Sequence, residues 1–178
     1  IYFSGSTMDK FGSGQYPDLY VYENGAVSMA AKFGNSIGGA PTGDIMLGGG
    51  VNMLVSEGKP YFCSCVGTRG EIYTLDNTKI VKAFDFDGAI DCFGAAETGF
   101  VMIGRTPGKL QEVYLRKYGE NSYKQLGDLN GDALKDKYIG ELQEAGFTDS
   151  DGVHIDGWVI LPKDYDPEKK YPAILDMH

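Results

Sequence analysis

The chain has 178 residues, enough for one sizeable domain or two small ones, and its 42% hydrophobic content supports a packed core and argues against disorder. Sixteen Lys and Arg against 25 Asp and Glu give a net charge of −9. The basic residues are scattered, which excludes a nucleic-acid partner, whose phosphates demand clustered cations. No run approaches the roughly 18 apolar residues of a membrane span, so no membrane partner is expected.

Ile1-Tyr2-Phe3-Ser4 lacks the basic region and apolar core of a signal peptide and already reads as a strand, without an initiator Met. The chain therefore reads as cut at its start. The same run begins a series of short strands. Asp18–Glu23 (Asp-Leu-Tyr-Val-Tyr-Glu) alternates apolar and polar residues around Tyr20, the period of a half-buried strand. Ala26–Met29 follows it. A Gly-rich connection then runs from Gly34 to Asp44 and through Gly48–Gly50.

Strand-like runs resume at Asn52–Val55 and Tyr61–Val66. A turn at Gly67–Gly70 leads into Glu71–Asp76, a second Tyr-centred strand, and Lys79–Phe84 follows. The set recurs as Ala89–Phe93, Phe100–Ile103, a hairpin turn at Thr106–Lys109, the third Tyr-centred strand Glu112–Lys117, and Tyr123–Leu126. The Tyr strands start at 18, 71 and 112, spacings of 53 and 41 residues, and the Gly-rich connection explains the wider one. Four antiparallel strands every ~40–50 residues is the pattern of β-propeller blades. Two full blades and most of a third fit before about residue 130. Periodicity alone leaves an antiparallel sandwich as the alternative.

Several patterns imitate chemical sites. Asp128-Leu-Asn130-Gly-Asp132 spaces oxygen ligands as a calcium loop does, but Ala133 and Ile139 stand where that loop needs Gly and a bidentate carboxylate. A polar turn with Asp132 as helix N-cap is the expectation. Gly104–Lys109 is one residue short of a phosphate loop, and Leu110 replaces its Ser or Thr. Asp85 and Asp87 share a strand face and read as a solvated turn. Cys63, Cys65 and Cys92 have no framework or metal-ligand spacing and read as free thiols, which favours a cytoplasmic, reducing compartment. Only His154 and His178 are available as bases, and His154 reads as a surface strand residue. No catalytic residue is assigned, and no metal or cofactor is expected.

From Phe147 the texture changes. Ser150-Asp151-Gly152 reads as a tight turn, Val153–Leu161 as a strand carrying Trp158, and Asp166–Lys170 as a charged connector. Pro172–His178 reads as a buried strand of an α/β sheet. Ser150-Asp151-Gly152, Gly157-Trp158, Pro162, Asp166-Pro167, Lys169-Lys170-Tyr171-Pro172 and His178 together resemble the start of the catalytic domain in the prolyl oligopeptidase family of serine peptidases, including acylaminoacyl and dipeptidyl peptidases.

That resemblance implies a mainly β chain: residues 1–131 as C-terminal propeller blades, 132–146 as a linker, and 147–178 as the first strands of an α/β-hydrolase domain. The whole enzyme would hydrolyse short peptides through an acyl-enzyme. His178 would be the first residue of the H-G-G-P loop that contributes to the oxyanion hole. Nucleophile, acid and catalytic histidine would lie beyond residue 178, leaving this piece inactive. Its unpaired blade edges would favour self-association. A non-catalytic propeller used for interaction, or an esterase or acylaminoacyl hydrolase of the same architecture, are the alternatives.

Overall fold

The strands of this chain are short because Gly, Asn and Asp interrupt the apolar runs at short intervals, and several of these interruptions close hairpins. A computed structural model describes residues 1–41, 50–67 and 69–177. The chain divides into two compact units, Ile1–Asp132 and Ala133–His178.

The first unit contains eleven strands among its described residues: β1 (Tyr2–Gly5), β2 (Asp18–Glu23), β3 (Ala26–Ala31), β4 (Met53–Ser56), β5 (Lys59–Val66), β6 (Arg69–Asp76), β7 (Lys79–Lys82), β8 (Ala89–Ala96), β9 (Gly99–Arg105), β10 (Glu112–Lys117) and β11 (Lys124–Gln125). β1-β2-β3 form a three-stranded antiparallel sheet. β4 to β7 and β8 to β11 form two antiparallel four-stranded meanders, joined by a single parallel bridge between Gly70 and Ala89. These are the propeller blades expected from the sequence: two of four strands and one of three.

The Tyr strands are the third strands of the two full blades and the middle strand of the first. Their alternation explains how the blades stack. On β6, Ile72 packs with Cys63, Phe86, Phe100 and Tyr114 towards the following blade, while Tyr73 packs with Leu19, Ile37 and Phe62 towards the preceding one. Tyr114 repeats the backward role one blade later, and Leu19 the forward role one blade earlier. Aromatic contacts line both seams. Phe33 lies 4.9 Å from Tyr73 in one, and Phe86 meets Tyr114 edge-on at 5.2 Å in the other.

Two departures from the sequence reading lie in this unit. β7 ends at Lys82 instead of continuing to Phe84, because Phe84 and Phe86 turn inward to the seam with the next blade. The Gly-rich connection is docked where it is described. The Ser36 hydroxyl accepts a hydrogen bond from Cys65 N at 3.0 Å, Gly38 N donates to Cys63 O, and Arg105 Nη2 donates to Pro41 O at 3.3 Å. Its residues 42–44, 48 and 49 lie outside the described residues, as does Thr68 of the Gly67–Gly70 turn.

The second unit contains short strands: β12 (Leu142–Glu144), β13 (Phe147–Thr148), β14 (His154–Ile155) and β15 (Trp158–Ile160). The stretch expected as a linker therefore includes β12, which pairs with β15. The single strand expected over Val153–Leu161 is divided. β14 pairs with β13 and β15 with β12, and the change of partner falls at Asp156-Gly157. Ala145 N donates to Gly157 O at 2.8 Å there, and a Cβ on Gly157 would meet Ala145 O at 3.1 Å. The tight turn at Ser150–Gly152 is organised by Asp149, whose Oδ1 accepts from Asp151 N and Val153 N, both at 2.9 Å, with Gly152 at a φ of 81°. A short helix, Gly131–Leu134, holds Asp132 inside its first turn and not at the cap expected for it.

The buried strand expected over Pro172–His178 does not form among the described residues. Ile174, Leu175 and Met177 are 98%, 80% and 83% exposed. No described strand lies beside this run, so its backbone has no ladder to join and its side chains no cover.

Within the second four-stranded blade, the entry to β8 approaches the end of β9 closely enough to require glycine. A Cβ on Gly88 would lie 2.0 Å from Arg105 O, a backbone atom that cannot swing away, whereas one on Gly94 in β8 would meet nothing within 4 Å. Gly88→Ala is expected to cost about 1–3 kcal/mol through this clash, and Gly94→Ala to stay within about 0.5 kcal/mol. Urea unfolding of the two variants checks this, and equal midpoints would refute the close-approach argument.

Candidate functional site

The residues that imitated ligand loops are used by the fold. Asn130 turns inward: its Nδ2 donates to Gln111 O at 2.6 Å and to Glu112 Oε1 at 3.0 Å. Glu112 is buried and also accepts from Leu129 N at 2.9 Å and Asn130 N at 3.1 Å. The Asp128–Asp132 loop is thus a turn latched onto the start of β10. No group of three or more potential metal-binding side chains occurs among the described residues. The Gly104–Lys109 run closes the β9–β10 hairpin, with Lys109 N donating to Thr106 O and Gly108 at a φ of 73°. Its Arg105 lies 3.6 Å from Asp91 Oδ1 and reaches Pro41 as well.

Asp85 and Asp87 lead to different partners. Asp85 Oδ1 is 2.9 Å from Lys82 Nζ, and Asp87 is 3.4 Å from Arg69. Between them Phe86 is buried, which turns the two carboxylates outward. Lys82 also lies 3.2 Å from the buried Glu71, whose other oxygen accepts the Tyr73 hydroxyl at 2.8 Å. Asp85 and then Glu71 hold the Lys82 ammonium above its ordinary pKa. Burial, followed by the Glu71 carboxylate, pushes the Tyr73 hydroxyl up.

The sequence reading missed this chain of groups and the buried Glu112, although a signal was present. An acid stands two residues before the Tyr in all three repeats, at Asp18, Glu71 and Glu112. Period-2 alternation places acid and Tyr on the same face, and that face is buried in the second and third repeats.

None of the described residues assembles a nucleophile with a base. His154 is exposed in β14, with Nε2 3.4 Å from Asp156. The thiols are free; burial pushes Cys63 up to about 12 and raises Cys65 and Cys92 as well, so none is an activated nucleophile. His178, the one residue tied to the oxyanion loop by resemblance, lies outside the described residues.

The architecture has counterparts among solved structures. An acylaminoacyl peptidase bound to Z-Gly-Gly-Phe-chloromethyl ketone superposes with a TM-score of 0.70 at 23% identity, covering 94% of this chain and 24% of its own. An acylaminoacyl peptidase of Pyrococcus horikoshii gives 0.68 at 21% identity over 93% of this chain and 24% of its own. The β-propeller domain of the Trilobed protease from Pyrococcus furiosus gives 0.53 at 23% identity, over 73% of this chain and 37% of its own. What these structures share with the chain is the fold, antiparallel β-propeller blades. Among curated sequences, an uncharacterized peptidase of Bacillus subtilis, YuxL, is 29% identical over 82 residues, 46% of this chain and 12% of that protein. No protein-family profile matches the chain. The chain thus spans about a quarter of the length of the peptidase structures that it matches.

The Glu112 latch is titratable. Leu129 N–H first, then Asn130, holds the Glu112 carboxyl below its ordinary range. A lowered folded-state pKa means stability fully present above the unfolded pKa and lost as pH falls through the folded one. Glu112→Gln is expected to cost about 1–3 kcal/mol at neutral pH and to lose this penalty below the carboxylate range. Urea midpoints at both pH values test it; a penalty independent of pH would show that the latch does not depend on charge.

Proposed function

We propose that this chain is part of a serine-type peptidase of the prolyl oligopeptidase family that hydrolyses short peptides through an acyl-enzyme. It would supply propeller blades over residues 1–131, a linker over 132–146, and the opening strands of the α/β-hydrolase domain over 147–178. The observation that carries this reading is the joint occurrence of two kinds of structure in one chain. The blades of the first unit are followed by a Ser150-Asp151-Gly152 turn and a Gly157-Trp158 strand, and acylaminoacyl peptidase superposes on 94% of the chain, well beyond the 73% matched by an isolated propeller domain.

On this reading the chain is catalytically silent, because its chemistry resides in residues other than those described. His178 would begin the oxyanion loop, whose backbone N–H groups stabilise charge developing on the carbonyl oxygen. Three free thiols favour a cytoplasmic location.

A fluorophosphonate probe distinguishes the parts. The intact protein is expected to label at one serine while the 178-residue chain does not; a labelled 178-residue chain, or an unlabelled intact protein with inert chemistry, would overturn the reading. The edges of the first sheet lead to a second expectation. Among the described strands β1 and β3 each pair only with β2, and Phe3, Tyr22, Val27 and Met29 are exposed on that sheet. Self-association is expected at micromolar concentrations in size-exclusion chromatography, and a stable monomer would count against it.

A further inference from the structure

Asn precedes Gly twice in this chain, at Asn24-Gly25 and at Asn130-Gly131. The pair is chemically labile. Glycine has no Cβ, so its backbone nitrogen can approach and attack the side-chain amide carbon of the Asn before it. Whether the attack occurs depends on what holds the Asn amide and on how freely the peptide between the two residues can turn.

The fold treats the two pairs differently. Asn24 and Gly25 are the turn residues between β2 and β3, closed by the pairing of Glu23 with Ala26. Both are exposed, with φ of 51° and 82°, the left-handed combination that a two-residue hairpin needs. A Cβ on Gly25 would meet nothing within 4 Å. Among the described residues no hydrogen bond holds the Asn24 amide or the Gly25 N–H. β3 pairs only with β2 among the described strands, and residues 26–29 of it are exposed, so the turn can open locally. Asn130, in contrast, is held. Its Nδ2 donates to Gln111 O at 2.6 Å and to Glu112 Oε1 at 3.0 Å, and its backbone N donates to the same Glu112 oxygen at 3.1 Å. These bonds must break before its amide can meet the Gly131 nitrogen. The β6–β7 hairpin offers a third case. Asn77-Thr78 stands in the same place, four residues after the Tyr, and Asn77 has a φ of 54°. Its amide meets only the exposed Asp76, at 3.3 Å, but Thr78 replaces the glycine and its branched side chain crowds the attacking nitrogen.

We propose that Asn24 is a modification site at which the folded chain deamidates, with water as the only co-reactant. The Gly25 nitrogen loses its proton to hydroxide and bonds to Asn24 Cγ. The side-chain nitrogen leaves as ammonia, and a cyclic imide remains. Water opens the imide at either carbonyl, giving Asp or the isomer whose main chain runs through the side-chain carboxyl. Both products add a negative charge beside Glu23 to a chain already at −9. The isomer also inserts a methylene group into a two-residue turn, which shifts Glu23 against Ala26 and loosens β3. None of this depends on the peptidase reading.

The test incubates the full chain at mildly alkaline pH, folded or in urea, and weighs its tryptic peptides. Residues 11–32 carry Asn24, 70–79 carry Asn77 and 125–135 carry Asn130. In the folded chain, peptide 11–32 is expected to gain the mass of deamidation at least about tenfold faster than 125–135, with 70–79 unchanged. In urea the latch on Asn130 is gone, and the two Asn-Gly peptides are expected to react within about threefold of each other. Asn24→Gly keeps a residue suited to the left-handed turn and is expected to abolish the gain in 11–32. Thr78→Gly is expected to bring 70–79 within about fivefold of 11–32, and it tests the chemistry without touching Asn24. An unmodified 11–32 in the folded chain, equal rates for the two Asn-Gly peptides there, a difference that persists in urea, a gain retained in Asn24→Gly, or an inert 70–79 in Thr78→Gly would each overturn the proposal.

Discussion

The first unit depends on burying both faces of its middle blade. Phe62 and Cys63 are neighbours on β5, Ile72 and Tyr73 are neighbours on β6, and the two members of each pair point into opposite seams. A sheet covered on one side can be polar on the other; this one cannot, and its central strands read Tyr-Phe-Cys-Ser-Cys-Val and Gly-Glu-Ile-Tyr-Thr-Leu. Full burial of each large side chain is worth about 1.5–3 kcal/mol, so the two seams dominate any single hydrogen bond. The polar residues of the same strands must then be satisfied within the seams. Ser64 meets Ser36, and Glu71 meets both Tyr73 and Lys82.

Those seams also explain which parts of the fold were legible. Alternation around a Tyr located β2 and β10 at their observed bounds, because side chains on the two faces of these strands differ in burial and the sequence records that difference. Residues at strand ends are governed by other forces. Phe84 and Phe86 extend the apolar alternation beyond β7, yet they leave the ladder to fill the seam with the next blade. In the second unit the run from Val153 to Leu161 reads as one strand, alternating as far as Asp156 and continuously apolar from Trp158, while the backbone changes partner at Gly157, a tertiary choice that local pattern does not encode. A continuous pattern therefore established the presence of strand and left its partners open.

The same limit governed the chemistry. Asp128, Asn130 and Asp132 have ligand spacing, but whether they converge on a cation or on the chain is decided by what lies opposite. Here that is the buried Glu112, 18 residues before Asn130. A carboxylate in that place attracts the Leu129 and Asn130 N–H groups and repels the further oxygens that a cation would have to gather. The spacing was visible in the sequence; the opposing charge became informative only once the register of β10 was known. Acids preceding the Tyr of each repeat were equally visible, and repetition is what marks Glu71 and Glu112 as parts of the blade design instead of incidental surface charges.

The second unit obeys different physics. Its described ladders are two-stranded, and two-stranded sheets are marginal in water. β15 nevertheless carries Trp158, Val159 and Ile160 in succession, all exposed, and Ile174-Leu175 adds another apolar pair further along. A strand that faced water on one side would alternate. Apolar residues on both faces are the composition of a strand covered twice, as in the parallel sheets of α/β domains. The blades bury nearly all of their large central side chains within their own seams, whereas this unit presents its tryptophan and four isoleucines to solvent. Two segments of similar apolar content thus differ in how far their own residues can cover one another. That contrast, together with the Asp149-centred turn, sets residues 147–178 apart from the blades.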